Sequence, residues 1–297
     1  MSAKKERIGF IGVGIMGKQM AANLMKKGYG VTVYNRSKKS VEELRSQGAV
    51  AAASPREVAE KSDVIIEMVT DAPDVEQVLF GESAAEGAKQ GSVFIDMSTN
   101  SPEIARSIAS RLEKNRIEFL DAPVSGGDKG AREGTLTIMV GGKREVFERC
   151  LPVFQGMGKE IVYMGSSGSG QAMKLCNQTA VAIHTLATCE SLLLGSSEGL
   201  DSKDVLRVLT SGAANSWNLT NLGPKVVARD YEPGFKAAHL LKDLRYVIQL
   251  SEKNRITLPG SSIVYQLFNA VMAEDQGERG TQILAMVLEK LANRERK

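Results

Sequence analysis

With 297 residues, 42% of them hydrophobic and only 5% aromatic, the chain has enough apolar material for aliphatic cores, and its length suits two domains at roughly 100 to 200 residues each. The formal charge of +3 comes from 38 basic and 35 acidic residues that are interspersed, which excludes the broad basic footprint of a nucleic-acid-binding protein. Three cysteines, Cys150, Cys176 and Cys189, form no CxxC pair and exclude a disulfide framework, while two histidines, His184 and His239, leave no recognisable zinc site.

In chain order, the first apolar run is 8–11, interrupted by glycine and far shorter than a secretory core, and no apolar stretch reaches membrane-spanning length. A cytoplasmic protein with no membrane partner is expected, its basic ends at Lys4-Lys5 and 294–297 being solvated tails. Runs at 8–11, 31–34, 64–69 and 93–96 alternate with helical segments, the signature of βαβ units and a parallel sheet. Ser54-Pro55-Arg56-Glu57 supplies an N-cap, a first-turn proline and a capping-box glutamate, and Ser101-Pro102-Glu103 repeats the cap and proline. Runs at 118–124, 135–140 and 161–164 extend the same sheet. The β signal then stops. Residues 171–196, rich in Ala, Leu and Met, predict one long helix, and 201–209, 236–253, 261–273 and 282–292 carry apolar residues at helical spacing between Gly and Pro punctuation.

Gly12-Val13-Gly14-Ile15-Met16-Gly17 fits GxGxxG, directly follows the run 8–11 and opens a helical segment. In that context the first glycine permits a tight turn, the second lets backbone approach a pyrophosphate, and the third allows helix and strand to pack closely. The predicted fold is therefore α/β: a Rossmann-type dinucleotide-binding domain at 1–167, then an all-α substrate and oligomerisation domain at 168–297, joined by the long interdomain helix. The second strand ends at Tyr34-Asn35-Arg36-Ser37-Lys38, where an NAD enzyme usually carries an acid for the ribose hydroxyls. Arg36 instead offers a planar fork of donors to a 2′-phosphate, with Asn35 and Ser37 as neutral donors, so NADP is favoured over NAD. Alternatively Arg36 faces solvent or stacks on adenine, leaving specificity relaxed.

Three further segments, Asp121-Ala122-Pro123-Val124-Ser125-Gly126-Gly127, Gly168-Ser169-Gly170-Gln171-Ala172-Met173-Lys174-Leu175-Cys176-Asn177-Gln178 and His239-Leu240-Leu241-Lys242-Asp243-Leu244, complete a set of four motifs. In that order they resemble the β-hydroxyacid dehydrogenases, a family that includes 3-hydroxyisobutyrate dehydrogenases, tartronate semialdehyde reductases and glyoxylate/succinic semialdehyde reductases. The resemblance spans nearly the whole chain. It implies that Ser125, Gly126 and Gly127 hold a substrate carboxylate, that Lys174 is the general acid and base, and that Lys242 reaches the nicotinamide ribose. Physically, a hydroxyl with unhindered amides suits a carboxylate, and hydride delivery to a carbonyl builds oxygen charge that needs a proton.

Asn177 and Gln178, three and four positions after Lys174, share its helical face and orient either the ammonium or the substrate. The family pattern often has asparagine at the Gln178 position, so the role of each amide stays open. Ser98 and Thr99, after the run 93–96, bracket the nicotinamide ribose or carboxamide, and Met68, Val69 and Thr70 line the adenosine side or the pyrophosphate; both sets serve equally as helix caps. Trp217, the only tryptophan, reads the substrate tail or anchors a loop. The leading expectation is an NADP-dependent oxidoreductase acting on a small carboxylic acid and assembling as a homodimer or homotetramer, without a metal. Imine reduction, which generally lacks a lysine at the Lys174 position, and a non-catalytic dinucleotide-binding scaffold are the alternatives.

Overall fold

The computed structural model describes residues 5–294; Lys4 and residues 295–297 of the expected tails lie outside the described residues. Lys5, from the same basic end, is seated over the Tyr29 ring at 5.1 Å. Packing divides the chain into two compact units, one ending at Lys174 and the other beginning at Leu175, later than the expected 167/168 boundary. The opening turn of the helix Ser169–Ser197 belongs with the first unit because its backbone is bonded to the sheet.

The first unit is built on a sheet of nine strands among the described residues. They are β1 (Ile8–Ile11), β2 (Val31–Tyr34), β3 (Val50–Ala51), β4 (Val64–Glu67), β5 (Val93–Asp96), β6 (Glu118–Asp121), β7 (Val124–Ser125), β8 (Leu136–Gly142) and β9 (Gly158–Gly165). The order β3-β2-β1-β4-β5-β6 is wholly parallel, a doubly wound arrangement whose order reverses beside β1. Beyond it β8 runs antiparallel to β6 and β7 and parallel to β9. The expected run 118–124 is therefore two strands, broken at Ala122-Pro123, where proline has no N–H for the ladder and Pro123 O accepts from Met139 N at 3.0 Å. The two-residue β3 is too short to leave a periodic signal.

Strands β1, β4 and β5 are buried along their whole length, as strands covered on both faces must be, and so read as continuous apolar runs. Phe10, Ile8, Val33 and Ile66 build one core with Met20 and Leu24 of the helix Ile15–Lys26; Ile65, Phe94 and Phe119 build the other with Ile108 and Leu112 of Pro102–Glu113. Full burial of each such side chain contributes about 1.5–3 kcal/mol. The predicted caps are present: Ser54 Oγ accepts from Glu57 N at 3.2 Å, and Ser101 Oγ from Glu103 N at 3.1 Å.

The second unit is helical. The rest of Ser169–Ser197 and the helices Ser202–Ser211, Ala237–Asn254, Pro259–Ala273 and Leu284–Leu291 surround a core that includes Leu192, Leu206, Leu240, Leu244, Phe268 and Leu284. Two short helices, Trp217–Asn221 and Gly223–Val227, were not legible because one turn shows no apolar period. Among the described residues no helix is long and apolar enough to cross a membrane. The three cysteines are free, Cys176 exposed and the others buried.

Candidate functional site

The glycine loop lies where β1 hands over to the helix Ile15–Lys26, and its three glycines answer to three different constraints. Gly12 has φ +90°, and a Cβ there would stand 2.3 Å from Met68 O. At Gly17 a Cβ would stand 2.0 Å from Gly12 O, so helix and loop touch only because the side chain is absent. Gly14 is the opposite case: its φ is −71° and a Cβ there would meet nothing within 4 Å, so no protein contact demands glycine. Space kept open at the start of a helix that no side chain caps is what a pyrophosphate requires, and the loop fits a dinucleotide on that ground. Val13 is buried, Ile15 is exposed, and Met16 packs against the core.

From the loop a groove runs over the ends of β2 and β4, lined by Gly12, Gly14, Tyr34, Asn35, Arg36, Met68, Val69, Thr70, Asp74 and Glu82. The structure thus brings together residues singled out at three separate places in the chain. Arg36 is largely exposed, its Nη2 lying 3.4 Å from Asp74 Oδ1, and Asn35 Nδ2 donates to Ser37 O at 3.1 Å. Asp74 and Glu82 follow β4 in the segment leading to β5, and no sequence signal marked them as groove residues.

Further along the same C-terminal edge, three carboxylic residues stand side by side: Glu67, Asp96 and Asp121 end β4, β5 and β6 and are register partners. All are fully buried. Burial, reinforced by Asp96, pushes the Glu67 carboxyl well above the usual range. Burial likewise lifts Asp96 to about 7 against hydrogen bonds from Ser98 N and Asn100 Nδ2, and Asp121 to about 6 against backbone donors. Ser98 is also buried, and its Oγ accepts from Val69 N at 3.0 Å, so its oxygen ties the end of β5 to the end of β4. Thr99, beside it, is half-buried.

Asp121 Oδ1 accepts from Gly168 N at 2.7 Å and Oδ2 from Gln171 N at 2.9 Å. Gln171 in turn donates from Nε2 to Ser98 O at 2.8 Å and accepts at Oε1 from Asn100 N at 3.0 Å. Lys174 follows on that helix and is buried, 7% exposed. Ser125 ends β7, Gly126 (φ +130°) and Gly127 (φ +63°) turn the chain into the helix Gly127–Glu133, and nothing lies within 4 Å of a Cβ built on Gly127. That turn leaves room for an anionic group beside backbone N–H donors.

In the helical unit, Asn177 Nδ2 donates to Gln178 Oε1 at 2.8 Å, Gln178 Nε2 donates to Asp243 Oδ2 at 2.6 Å, and Lys242 Nζ lies 3.0 Å from Asp243 Oδ1. Gln178 and Lys242 thus meet through Asp243, to which no role was given from sequence, and Asn177 joins them through Gln178. Lys242 is only 11% exposed in its side chain, so its ion pair is not a solvated surface bridge. Trp217 is not part of this cluster: it is 58% exposed, and the adjacent Asn218 anchors the segment by donating to Val181 O and Thr185 Oγ1 at 3.0 and 2.6 Å.

Residues 7–165 match the family model described as the NAD binding domain of 6-phosphogluconate dehydrogenase, and residues 168–288 match that described as NAD-binding of NADP-dependent 3-hydroxyisobutyrate dehydrogenase. The chain is 41% identical to a 2-hydroxy-3-oxopropionate reductase of Escherichia coli K12, over 97% of this chain and 98% of that protein. The crystal structure of a 3-hydroxyisobutyrate dehydrogenase from Salmonella typhimurium superimposes with a TM-score of 0.89 at 29% identity, covering 95% of this chain and 100% of the other. The Mycobacterium tuberculosis 3-hydroxyisobutyrate dehydrogenase with L-serine gives 0.87 at 29% identity, covering 96% and 99%.

Proposed function

This chain belongs to the β-hydroxyacid dehydrogenase family, and we propose that within it the protein is an NADP(H)-dependent enzyme acting on a small carboxylate-bearing aldehyde or β-hydroxyacid, with Lys174 as general acid and base. It is an oxidoreductase of hydroxyacids with a dinucleotide-binding domain. The observation that carries the finer reading is a buried lysine, 7% exposed, on a helix bonded to the same sheet edge that bears the glycine loop.

The dinucleotide, when bound, supplies a hydride to a carbonyl carbon or accepts one from a carbinol carbon. Residues Gly12 to Gly17 would hold its pyrophosphate, and Asn35, Arg36 and Ser37 its 2′-phosphate. Met68, Val69 and Thr70 would line the adenosine side; Ser98, Thr99 and Lys242 would serve the nicotinamide ribose. Arg36, at the groove without an acid at the end of β2, supports NADP over NAD.

Lys174 as an ammonium donates its proton to the substrate oxygen as charge develops there, and as an amine takes it back in oxidation. With NADPH as the hydride donor, the proposed direction is reduction. Ser125, Gly126 and Gly127 hold the substrate carboxylate, the feature shared by glyoxylate, succinic semialdehyde, tartronate semialdehyde and 3-hydroxyisobutyrate. Gln178 has both ends of its amide engaged, by Asn177 and Asp243, so the amide assigned to the substrate is Asn177, with Gln178 orienting it. Trp217 is proposed to read the substrate tail, its segment being held by Asn218. Exposed Leu194, Leu200, Val208 and Leu291 of the helical unit support a homodimer or homotetramer.

The test is NADPH oxidation with a panel of small aldehyde acids, beside Lys174→Ala. Turnover of at least one acid, with kcat lowered about 10²- to 10⁴-fold in the variant and NADPH affinity kept within about threefold, is expected. NADPH binding without turnover on any acid, or full activity in the variant, overturns the reading.

A further inference from the structure

The helix Ser169–Ser197 begins after a glycine and so has no side chain of its own to cap it. Its cap comes from far away in sequence: the Asp121 carboxylate, 47 and 50 residues distant, accepts from Gly168 N at 2.7 Å and Gln171 N at 2.9 Å. Two glycines let the helix end press down on this carboxylate. A Cβ on Gly170 would stand 2.4 Å from Met139 O and 2.6 Å from Asp121 O, and one on Gly141 would stand 2.7 Å from Asp121 Oδ1 and 2.8 Å from Gly170 N.

Gln171 then pins the same turn laterally, bonding Ser98 O and Asn100 N at 2.8 and 3.0 Å. The helix is thus held both along its axis and in rotation about it. Lys174 comes three residues after Gln171, less than one turn further on. Stability alone is a poor account of a fully buried carboxylate here. Ser101 caps its helix with a neutral oxygen, whereas burying an acid costs enough to lift the Asp121 carboxyl to about 6.

We propose that Asp121 is a positioning residue for the reaction: it fixes the height and rotation of the helix that presents Lys174, so that the ammonium stands where the substrate oxygen develops charge. The proposal rests on the reading of Lys174 as general acid. Misplacement of a catalytic group by about 1 Å is worth about 10²-fold in rate.

The test uses the full-length enzyme, NADPH, and whichever of glyoxylate, succinic semialdehyde and tartronate semialdehyde is turned over fastest. Asp121→Asn keeps the size but points an NH₂ group at one of the two helix N–H donors. Expected is a ten- to hundredfold fall in kcat with the NADPH Kd changed less than threefold. In a Lys174→Ala background, adding Asp121→Asn should lower the residual kcat less than twofold, because the group being positioned is gone.

Gly170→Ala lifts the helix end while leaving Asp121 intact. It should reproduce the same pattern, and it decides the matter if Asp121→Asn folds poorly. A kcat within twofold of wild type in Asp121→Asn, or in Gly170→Ala where Asp121→Asn folds poorly, overturns the proposal, as does an equal loss with and without Lys174. Full activity in Lys174→Ala overturns the general-acid reading instead, whereas an inactive Lys174→Ala beside a normal Asp121→Asn overturns the positioning role alone.

Discussion

Arg36 and Asp74 form a contact whose balance bears on cofactor choice. Their 3.4 Å ion pair is partly exposed, the arginine side chain at 75%, and such pairs are worth less than about 1 kcal/mol. A 2′-phosphate offers Arg36 a stronger, bidentate partner, whereas Asp74 and Glu82 in the same groove repel it. Arg36→Ala should therefore raise the NADPH Kd about tenfold, or about 1.4 kcal/mol, and the NADH Kd less than twofold. Asp74→Asn should tighten NADPH by a few-fold at low salt and leave NADH unchanged. Fluorescence titration at fixed ionic strength reads both, and equal losses for the two cofactors in Arg36→Ala would remove the 2′-phosphate assignment.

At the scale of elements, the glycine loop separates what the fold needs from what a ligand needs. Gly17 lets the helix Ile15–Lys26 close on the loop, since a Cβ would stand 2.0 Å from Gly12 O. Gly17→Ala should cost about 1–3 kcal/mol, seen as a lower Tm in the absence of cofactor. Gly14 meets nothing within 4 Å and has an ordinary negative φ, so Gly14→Ala should leave stability within about 0.5 kcal/mol. The same variant should weaken NADPH at least tenfold, because the methyl group occupies the space kept for the phosphates. Thermal melts with and without NADPH make the comparison; a large stability loss at Gly14, or unchanged cofactor affinity there, contradicts it.

Over the whole molecule, the row Glu67, Asp96 and Asp121 sets an unusual pH dependence. Each carboxyl is raised in the folded protein, to about 7 for Asp96 and about 6 for Asp121, so the folded chain keeps protons that the unfolded chain releases from about 4 upward. Their contribution is present below the unfolded value and lost as pH rises through the folded one. Asp63 works the other way. The Arg7 guanidinium holds its carboxyl down at about 2, a contribution present above about 4 and lost only in stronger acid. His239, lowered by burial, also opposes the trend, favouring the fold as pH rises toward 6.5. The buried acids outnumber it, so Tm should fall between about pH 4.5 and pH 7. A melting curve series that is flat or rising over that window would contradict the burial of these groups.

What the chain order alone determined is whatever depends on near neighbours. GxGxxG after an apolar run, the Ser54 and Ser101 caps, and the apolar spacing at 236–253 and 261–273 are local, and each appears where it was expected. Lys174, Asn177, Gln178 and Lys242 were singled out by the family resemblance rather than by local spacing, and their roles are proposals. Tertiary structure alone decided which distant groups meet. Asp74 faces Arg36, Asp121 caps a helix 47 residues away, and Asp243 joins Gln178 to Lys242. Nor could the antiparallel turn of β8 be read, since strand direction depends on how the chain returns to the sheet and leaves side-chain alternation unchanged. A short-range pattern records the hydrogen bonds and clashes within a few residues, whereas the burial that sets a carboxyl's charge exists only once the chain has closed around it.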